Sequence, residues 1–540
     1  MAEVRTKHRH RRALLAAAGA ASLVTLSLVS VPAAHAGAPT LSNACEHRNN
    51  NTYAKLLECV TLEGVMRHLR AFQAIADAND DEIYPGSRIA GTEGYDRSAD
   101  YVAGLLRKAG YQVTVQEFEF LFQFPAVLRQ LTPVDEEYPT VAFIGSGGGD
   151  VTGTVIPVDL ALDDPATSTS GCEAEDFASA DWSGDSDIAL IQRGACVFAD
   201  KVANAQAAGA EAVIIFNQGD APTNDRQGLV IGTLGDFVAD IPVVGASFAQ
   251  GQALAQPGST AHVHVLEPEP RTTVNVIAEK PGKNRNNVVM AGAHLDSVDG
   301  PGINDNGSGA AALLEVALMM ANLKPENTLR FAWWGAEESG LVGSTAYVES
   351  LSPAELDKIA LYMNYDMVGS PNYIFMIYDA DESTFPAPVP VPPGSAAIED
   401  VYESYYTMIG EPYDDTEFSG RSDYEAFILA GIPSSGLFTG AEQIKTEQQQ
   451  AIWGGVAGEQ FDPCYHLACD DIDNIDVHAL EVNSDLIAFA MLTFAYSTES
   501  VNGVPGKKVP GPPVHLPPPA GPQGTFVEGD GGHGPGLVTS

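Results

Sequence analysis

Basic residues are scarce in this chain: 28 Lys and Arg stand against 71 Asp and Glu, giving a formal net charge of −43. So acidic a protein repels a phosphate backbone, and nucleic acid is excluded as an expected partner. None of the six cysteines lies in a CxxC pair, which removes the usual thiolate zinc site. There is no G-x-S-x-G elbow to support a serine hydrolase. No repeat of fixed period is seen. Beyond the N-terminal run, no segment is expected to be long and apolar enough to cross a bilayer.

What is present begins with a targeting pattern. Arg5, Lys7, Arg9, Arg11 and Arg12 precede an apolar run from Ala13 to Val31 and then Ala34-His35-Ala36. A basic segment, an apolar segment and a small-residue cleavage site read as a removed signal peptide over residues 1–36. Secretion is the expectation; the Arg11-Arg12 pair leaves the Sec and twin-arginine routes undecided. Removing five Lys/Arg and one Glu takes the charge from −43 to −47. Such a charge favours solubility, and no membrane association is expected after cleavage. Six cysteines in a secreted chain argue for three disulfides. Of the fifteen possible connectivities, the sequence-local one (Cys45–Cys59, Cys172–Cys196, Cys464–Cys469) fits the domain boundaries below.

A chain of 540 residues exceeds one compact core. Residues 37–138 open with a helix over Tyr95–Ala109, ended by Gly110, followed by alternation from Val113 to Phe120. Residues 139–267 change texture to short β-rich runs rich in Gly and Asp, with a strand–turn–helix–strand reading between Asp187 and Phe216. From 268 to 498 an α/β rhythm returns. Strands are expected at Val274–Ala278, Val288–Ala293, Leu329–Trp334 and Leu361–Met367, and a helix at Gly309–Leu323. Residues 499–540 are Pro- and Gly-rich without periodicity and are read as a disordered tail. The expected fold class is α/β: a doubly wound mixed sheet with helices on both faces and a small β-rich domain inserted.

The chemistry-bearing residues fall at the C-terminal ends of the expected strands, where open α/β sheets place their ligands. His294-Leu-Asp296 ends one strand; residues i and i+2 share a face, so Asp296 is expected to hold the free ring nitrogen of His294. Asp305 sits in a Gly/Asn-rich turn before a helix. Glu337 and Glu338 follow an apolar strand, a pairing that is costly to bury without a cation. Asp366 ends a third strand. His466 lies inside the short Cys464–Cys469 loop, which would fix it as a metal ligand requires. Each element is ambiguous alone. Together they supply two His and three carboxylates, a donor set suited to zinc, with one carboxylate left over.

The stretches HLDSVDGPGINDNGSGA (294–310), WWGAEESGLVGS (333–344), NYDMVGS (364–370), SGRSDYEAF (419–427) and FDPCYHLACD (461–470) resemble, in order and spacing, the co-catalytic zinc aminopeptidases that include secreted bacterial leucine aminopeptidases and aminopeptidase Y. The likeness covers most of residues 60–497, and segment 139–267 resembles the protease-associated domain inserted in some members. The resemblance implies the zinc exopeptidase fold and two zinc ions per chain. One would be held by His294 and Asp366, the other by Glu338 and His466, with Asp305 bridging. It further implies a cis peptide at Asp305-Asn306, Glu337 as general base and acid, and Tyr465 as a stabiliser of the oxyanion. The expected substrates are peptides or proteins with a free N-terminus, large hydrophobic residues such as Leu being preferred.

Water between two zinc ions has a lowered pKa, so Glu337 can take its proton and later return it to the leaving amine. Met367, Phe438 and Arg421 are candidates for substrate contact. The acidic run Asp470, Asp471, Asp473, Asp476, Glu481 and Asp485 is a candidate calcium site, with a solvated surface as the blander reading. A monomer is expected. A carboxypeptidase of the same clan is disfavoured because no cluster of Arg is present to read a terminal carboxylate, and a non-catalytic relative because the whole donor set is retained.

Overall fold

A computed structural model describes residues 41–525, except Asp185, Pro222, Thr223 and Asp236. The signal-peptide reading of residues 1–36 and the last part of the tail, 526–540, lie outside the described residues.

The helix Glu93–Ala109 ends where Gly110 adopts φ 91°, a left-handed cap. β1 (Gln112–Phe122) follows. The chain then builds a second sheet from β2 (Val127–Thr132), β3 (Glu136–Tyr138), β4 (Gly149–Val158), β5 (Asp187–Gln192), β6 (Ala212–Phe216), β7 (Val243–Ala246) and β8 (Thr260–Val265), in the order β3-β2-β8-β4-β5-β6-β7. It returns through β9 (Glu269–Lys280), β10 (Asn284–His294), β11 (Asn327–Trp334), β12 (Ile359–Tyr365), β13 (Met376–Tyr378), β14 (Asp414–Thr416) and β15 (Ser434–Phe438). These join β1 in one sheet of order β1-β9-β11-β10-β12-β15-β13-β14.

β11, β10, β12 and β15 are mutually parallel. They read as unbroken apolar runs because both faces are covered by helices. The helix Gly309–Met320 is buried almost all round, and Val477–Tyr496 packs beside it. Each fully enclosed Leu, Ile or Val in these layers contributes roughly 1.5–3 kcal/mol.

Three expectations need correction. The insertion starts earlier than residue 139, since β2 already pairs with β8 in the second sheet; its half-buried residues gave no change of texture to mark the boundary. The helix Val477–Tyr496 does have the length and hydropathy of a membrane span, but 67% of its most apolar window is buried in the core. The tail is not disordered through residue 525. Val509 and Leu516 pack on the core, and the N–H groups of Ala520, Gly521, Gly524 and Thr525 donate to Thr407, Tyr413 and Asp414. Proline has already restricted such a segment, so ordering it costs less entropy than its composition suggests.

Three disulfides join Cys45–Cys59, Cys172–Cys196 and Cys464–Cys469, the sequence-local pairing.

Candidate metal centre

β10, β11 and β12 deliver His294, Glu337–Glu338 and Asp366 to one end of the sheet, directly at or just beyond their C-termini. Asp305 arrives from the turn that opens the helix Gly309–Met320, where the Asp305-Asn306 peptide is cis. The Cys464–Cys469 loop brings in His466. Ala336, Met367 and His466 take positive φ (54°, 51° and 57°). For side chains other than Gly this costs about 1–3 kcal/mol each and persists where the surroundings over-determine it.

Two clusters share Asp305. His294 Nε2 lies 3.2 Å from Asp305 Oδ1 and 3.2 Å from Asp366 Oδ1. His466 Nε2 lies 3.1 Å from Asp305 Oδ2 and 3.1 Å from Glu338 Oε2. The two oxygens of one carboxylate thus face the two imidazoles. Donor atoms about 2.0–2.1 Å from a tetrahedral zinc stand roughly 3.3 Å apart, so this spacing fits a metal between them. His294 Nε2 is within hydrogen-bond reach of Asp366 Oδ1, whereas on the other side His466 Nε2 and Glu338 Oε1 are buried without a hydrogen-bond partner among the described residues. Two imidazoles with three carboxylates is also a donor mixture zinc accepts.

Electrostatics show the same need for a cation. Burial pushes the Glu338 carboxyl up to about 7 against the opposing pull of His466. Burial, then Glu338, Asp366 and Asp423, raise Glu337 well above a carboxylate's ordinary value, with His294 opposing. Burial favours neutral His466, but Glu338 and Asp305 outweigh it and raise its pKa to about 10.

Supporting residues hold the donors. Ser422 Oγ donates to Asp366 Oδ2 at 2.6 Å. Asn306 Oδ1 accepts from the N–H groups of Gly309 and Met367. Asp470 accepts the N–H of Asn304 at 2.8 Å and of Asp305 at 2.9 Å, one on each oxygen. Buried Arg88 donates to the carbonyls of Leu295, Pro301 and Gly302, clamping the loop between His294 and Asp305. Sequence reasoning missed these roles. Ser422 lay in a quoted stretch without an assignment, Asp470 was pooled with the acidic run, and Arg88 carried no local signal.

Asp296 differs from expectation. It lies beyond the end of β10, where strand alternation no longer applies. His294 Nδ1 is 3.2 Å from its carbonyl oxygen and 3.7 Å from its carboxylate. The carboxylate instead accepts the N–H groups of Glu337 and Glu338 at 3.2 and 3.3 Å. The structure lends the calcium reading of the 470–485 run no support. Asp470 turns inward to the Asp305 turn, Asp476 caps the helix Val477–Tyr496, and Asp471 accepts from Asp473 N–H.

Of the substrate-contact candidates, Met367 and Phe438 are fully buried in the core. The Arg421 side chain is 15% exposed, with Nη2 3.8 Å from Glu442 Oε1. The Tyr465 ring stacks on that of His466, centroids 3.8 Å apart.

Fold and site together define a metallohydrolase of the α/β exopeptidase type. Residues 275–491 match the model of peptidase family M28, and residues 151–254 match the PA domain. An aminopeptidase of Pseudomonas aeruginosa strain PAO1 is 48% identical over 458 residues, covering 83% of this chain and 83% of that protein. A probable leucine aminopeptidase 2 of Aspergillus fumigatus is 41% identical over 425 residues, 77% of this chain and 80% of its own. The solved aminopeptidase from Aneurinibacillus sp. strain AM-1 superposes with a TM-score of 0.62 at 29% identity, covering 86% of this chain and 99% of that one. A zinc aminopeptidase from Bacillus subtilis gives 0.59 at 27% identity, covering 80% and 94%. The chain belongs to peptidase family M28 and is a zinc metallo-aminopeptidase.

Proposed function

We propose a secreted two-zinc aminopeptidase in which His294 and Asp366 would hold one ion, His466 and Glu338 would hold the other, and Asp305 would serve both. The supporting observation is the division of the Asp305 carboxylate, one oxygen 3.2 Å from His294 Nε2 and the other 3.1 Å from His466 Nε2. Bound zinc would supply Lewis acidity toward water and toward the scissile carbonyl.

Glu337 acts as base and then acid. Its Oε2 lies 4.0 Å from His294 Nε2, beside the donors but without a hydrogen bond to either imidazole. A buried carboxylate of raised pKa is a strong enough base to take a proton from the attacking water and, once protonated, can return it to the departing amine. Asp296 positions Glu337 and Glu338 through their backbone N–H groups. Burial, reinforced by nearby Asp305 and Glu442, keeps the Tyr465 phenol protonated, so it can donate to the developing oxyanion. The substrate α-ammonium is held by the acidic groups Glu337 and Asp366, which makes the enzyme an exopeptidase.

A preference for large hydrophobic N-terminal residues is supported by relatives named leucine aminopeptidases. Met367, which directly follows Asp366, and Phe438 are fully buried, so they would shape a side-chain pocket from behind its surface, with Arg421 the partly exposed candidate for direct contact. Three disulfides support an oxidising, extracellular destination and the signal-peptide reading.

The test is hydrolysis of Leu-nitroanilide with and without chelator, beside Glu337→Gln. Chelation should abolish turnover and zinc restore it, while the variant keeps two zincs per chain and loses most activity. Hydrolysis of N-acetylated but not free-amine substrates would refute the exopeptidase reading.

A further inference from the structure

Between Lys358 and Arg421 the sequence contains eleven Asp and Glu and no Lys, Arg or His. In the fold, several of these carboxylates converge at the edge strands β13 and β14. β13 runs antiparallel to β15, pairing Met376 with Phe438. Asp379, just past the end of β13, therefore lies toward the start of the parallel strands, at the opposite end of the sheet from His294 and Asp366. Asp415 is on β14. Glu399 and Glu403 sit one turn apart on the helix Ala396–Ile409, so they share a face.

Asp379, Asp381 and Glu399 each offer an oxygen within 4.8 Å of the others, as do Glu399, Glu403 and Asp415. Glu399 belongs to both groups. Asp379, Glu399 and Asp415 are 1%, 3% and 1% exposed. No cation is among the largest influences on Glu399, Glu403 and Asp415. Burial, then Asp381, Glu403 and Asp415, push Glu399 up to about 10. Burial likewise raises Glu403 and Asp415 to about 7.

Much of this cluster is held in place by backbone and hydroxyl donors. Asp379 accepts the N–H groups of Ser383, Thr384 and Phe385, and Glu399 that of Ala380. Asp415 Oδ2 accepts from Thr384 Oγ1. Asp415 Oδ1, in contrast, is buried with no hydrogen-bond partner among the described residues. A buried acceptor left unpaired amid other carboxylates costs several kcal/mol unless a cation compensates. All the donors are oxygens, the preference of hard divalent ions. Ligands opposite one another at about 2.4 Å from such an ion are roughly 4.8 Å apart, so oxygens that all lie within that distance of one another can share one ion.

We propose that Glu399, Asp415 and Glu403, together with Asp379 and Asp381, form a further metal site for a hard divalent cation, which ties the helix Ala396–Ile409 to the β13–β14 edge. Asp414, next to Asp415, accepts the N–H groups of Gly524 and Thr525. Occupancy therefore also steadies the strand that anchors the C-terminal segment.

The test uses the zinc-loaded enzyme stripped of other ions by gel filtration, titrated with Ca²⁺ and separately with Mg²⁺ at fixed zinc. Equilibrium dialysis with ⁴⁵Ca²⁺ should show one ion per chain, and saturation should raise Tm by about 2–4 °C. In Glu399→Gln/Asp415→Asn both effects should vanish while zinc content and Leu-nitroanilide hydrolysis at 25 °C stay at wild-type values. Absence of binding of either ion to the wild type overturns the proposal, as does undiminished binding in the double variant. Should the double variant not fold, Glu403→Gln at the half-exposed rim is expected to weaken binding at least tenfold; unchanged affinity overturns the proposal. None of these readouts depends on the catalytic assignment above.

Discussion

Replacing Asp470 by Asn should cost zinc affinity without touching a ligand. Each oxygen of Asp470 accepts one backbone N–H, from Asn304 at 2.8 Å and Asp305 at 2.9 Å, and Oδ1 also accepts from Asn474 Nδ2 at 2.9 Å. An amide has only one oxygen, so whichever way the substituted side chain rotates, one buried N–H would face an NH₂ group. Leaving a buried donor unpaired costs about 1–3 kcal/mol, or roughly 5–150-fold in an equilibrium constant. The penalty falls on the turn that carries Asp305, whose two oxygens face both imidazoles. Loss of an outer partner of a metal ligand typically lowers affinity about 10–100-fold, in agreement. Competition with a chromogenic chelator at pH 8 measures it directly, with circular dichroism as the check on folding. Zinc affinity within twofold of wild type in a folded Asp470→Asn protein would refute the reasoning.

Glu337→Gln should retain zinc and lower kcat by about 10²–10⁴-fold, read from Leu-nitroanilide progress curves alongside elemental analysis. Ser422→Ala removes the 2.6 Å bond to Asp366 Oδ2; it should weaken zinc binding about tenfold, with Ser422→Thr recovering part of the loss. Opening the Cys464–Cys469 loop with paired Ser substitutions forfeits about 2 kcal/mol of loop-closure entropy. The loss should appear as weaker binding of one zinc, since His466 alone lies in that loop. Without metal His466 keeps a proton up to about pH 10, because burial is outweighed by Glu338 and Asp305. Its folded pKa is raised from 6.5 to about 10, so this contribution to metal-free stability is full below pH 6.5 and is lost progressively as pH rises to about 10. Zinc uptake at pH 8 must then expel a proton from His466, and calorimetry in buffers of different ionisation enthalpy should record its release.

Strand and helix identity were legible because the signals are local. The apolar runs of β10–β12 and the Gly110 stop need no knowledge of distant neighbours. The donor set was legible for a related reason: carboxylates and histidines at strand ends are costly unless used. The insertion boundary at β2 was not, since half-buried edge strands look alike whichever sheet they join. Nor was the docked tail, whose N–H partners Thr407, Tyr413 and Asp414 lie more than 100 residues away.

The sequence by itself therefore determined the α/β class, the zinc-aminopeptidase chemistry and the placing of histidines and carboxylates at strand ends, all properties of residue type and short spacing. Only the tertiary structure decided how carboxylates divide their labour. Asp296 and Asp470 turn to backbone N–H groups, Asp305 faces two imidazoles, and Glu399 and Asp415 meet at a distant edge. A carboxylate's role is set by which donors surround it, and those donors come from segments far apart in the chain.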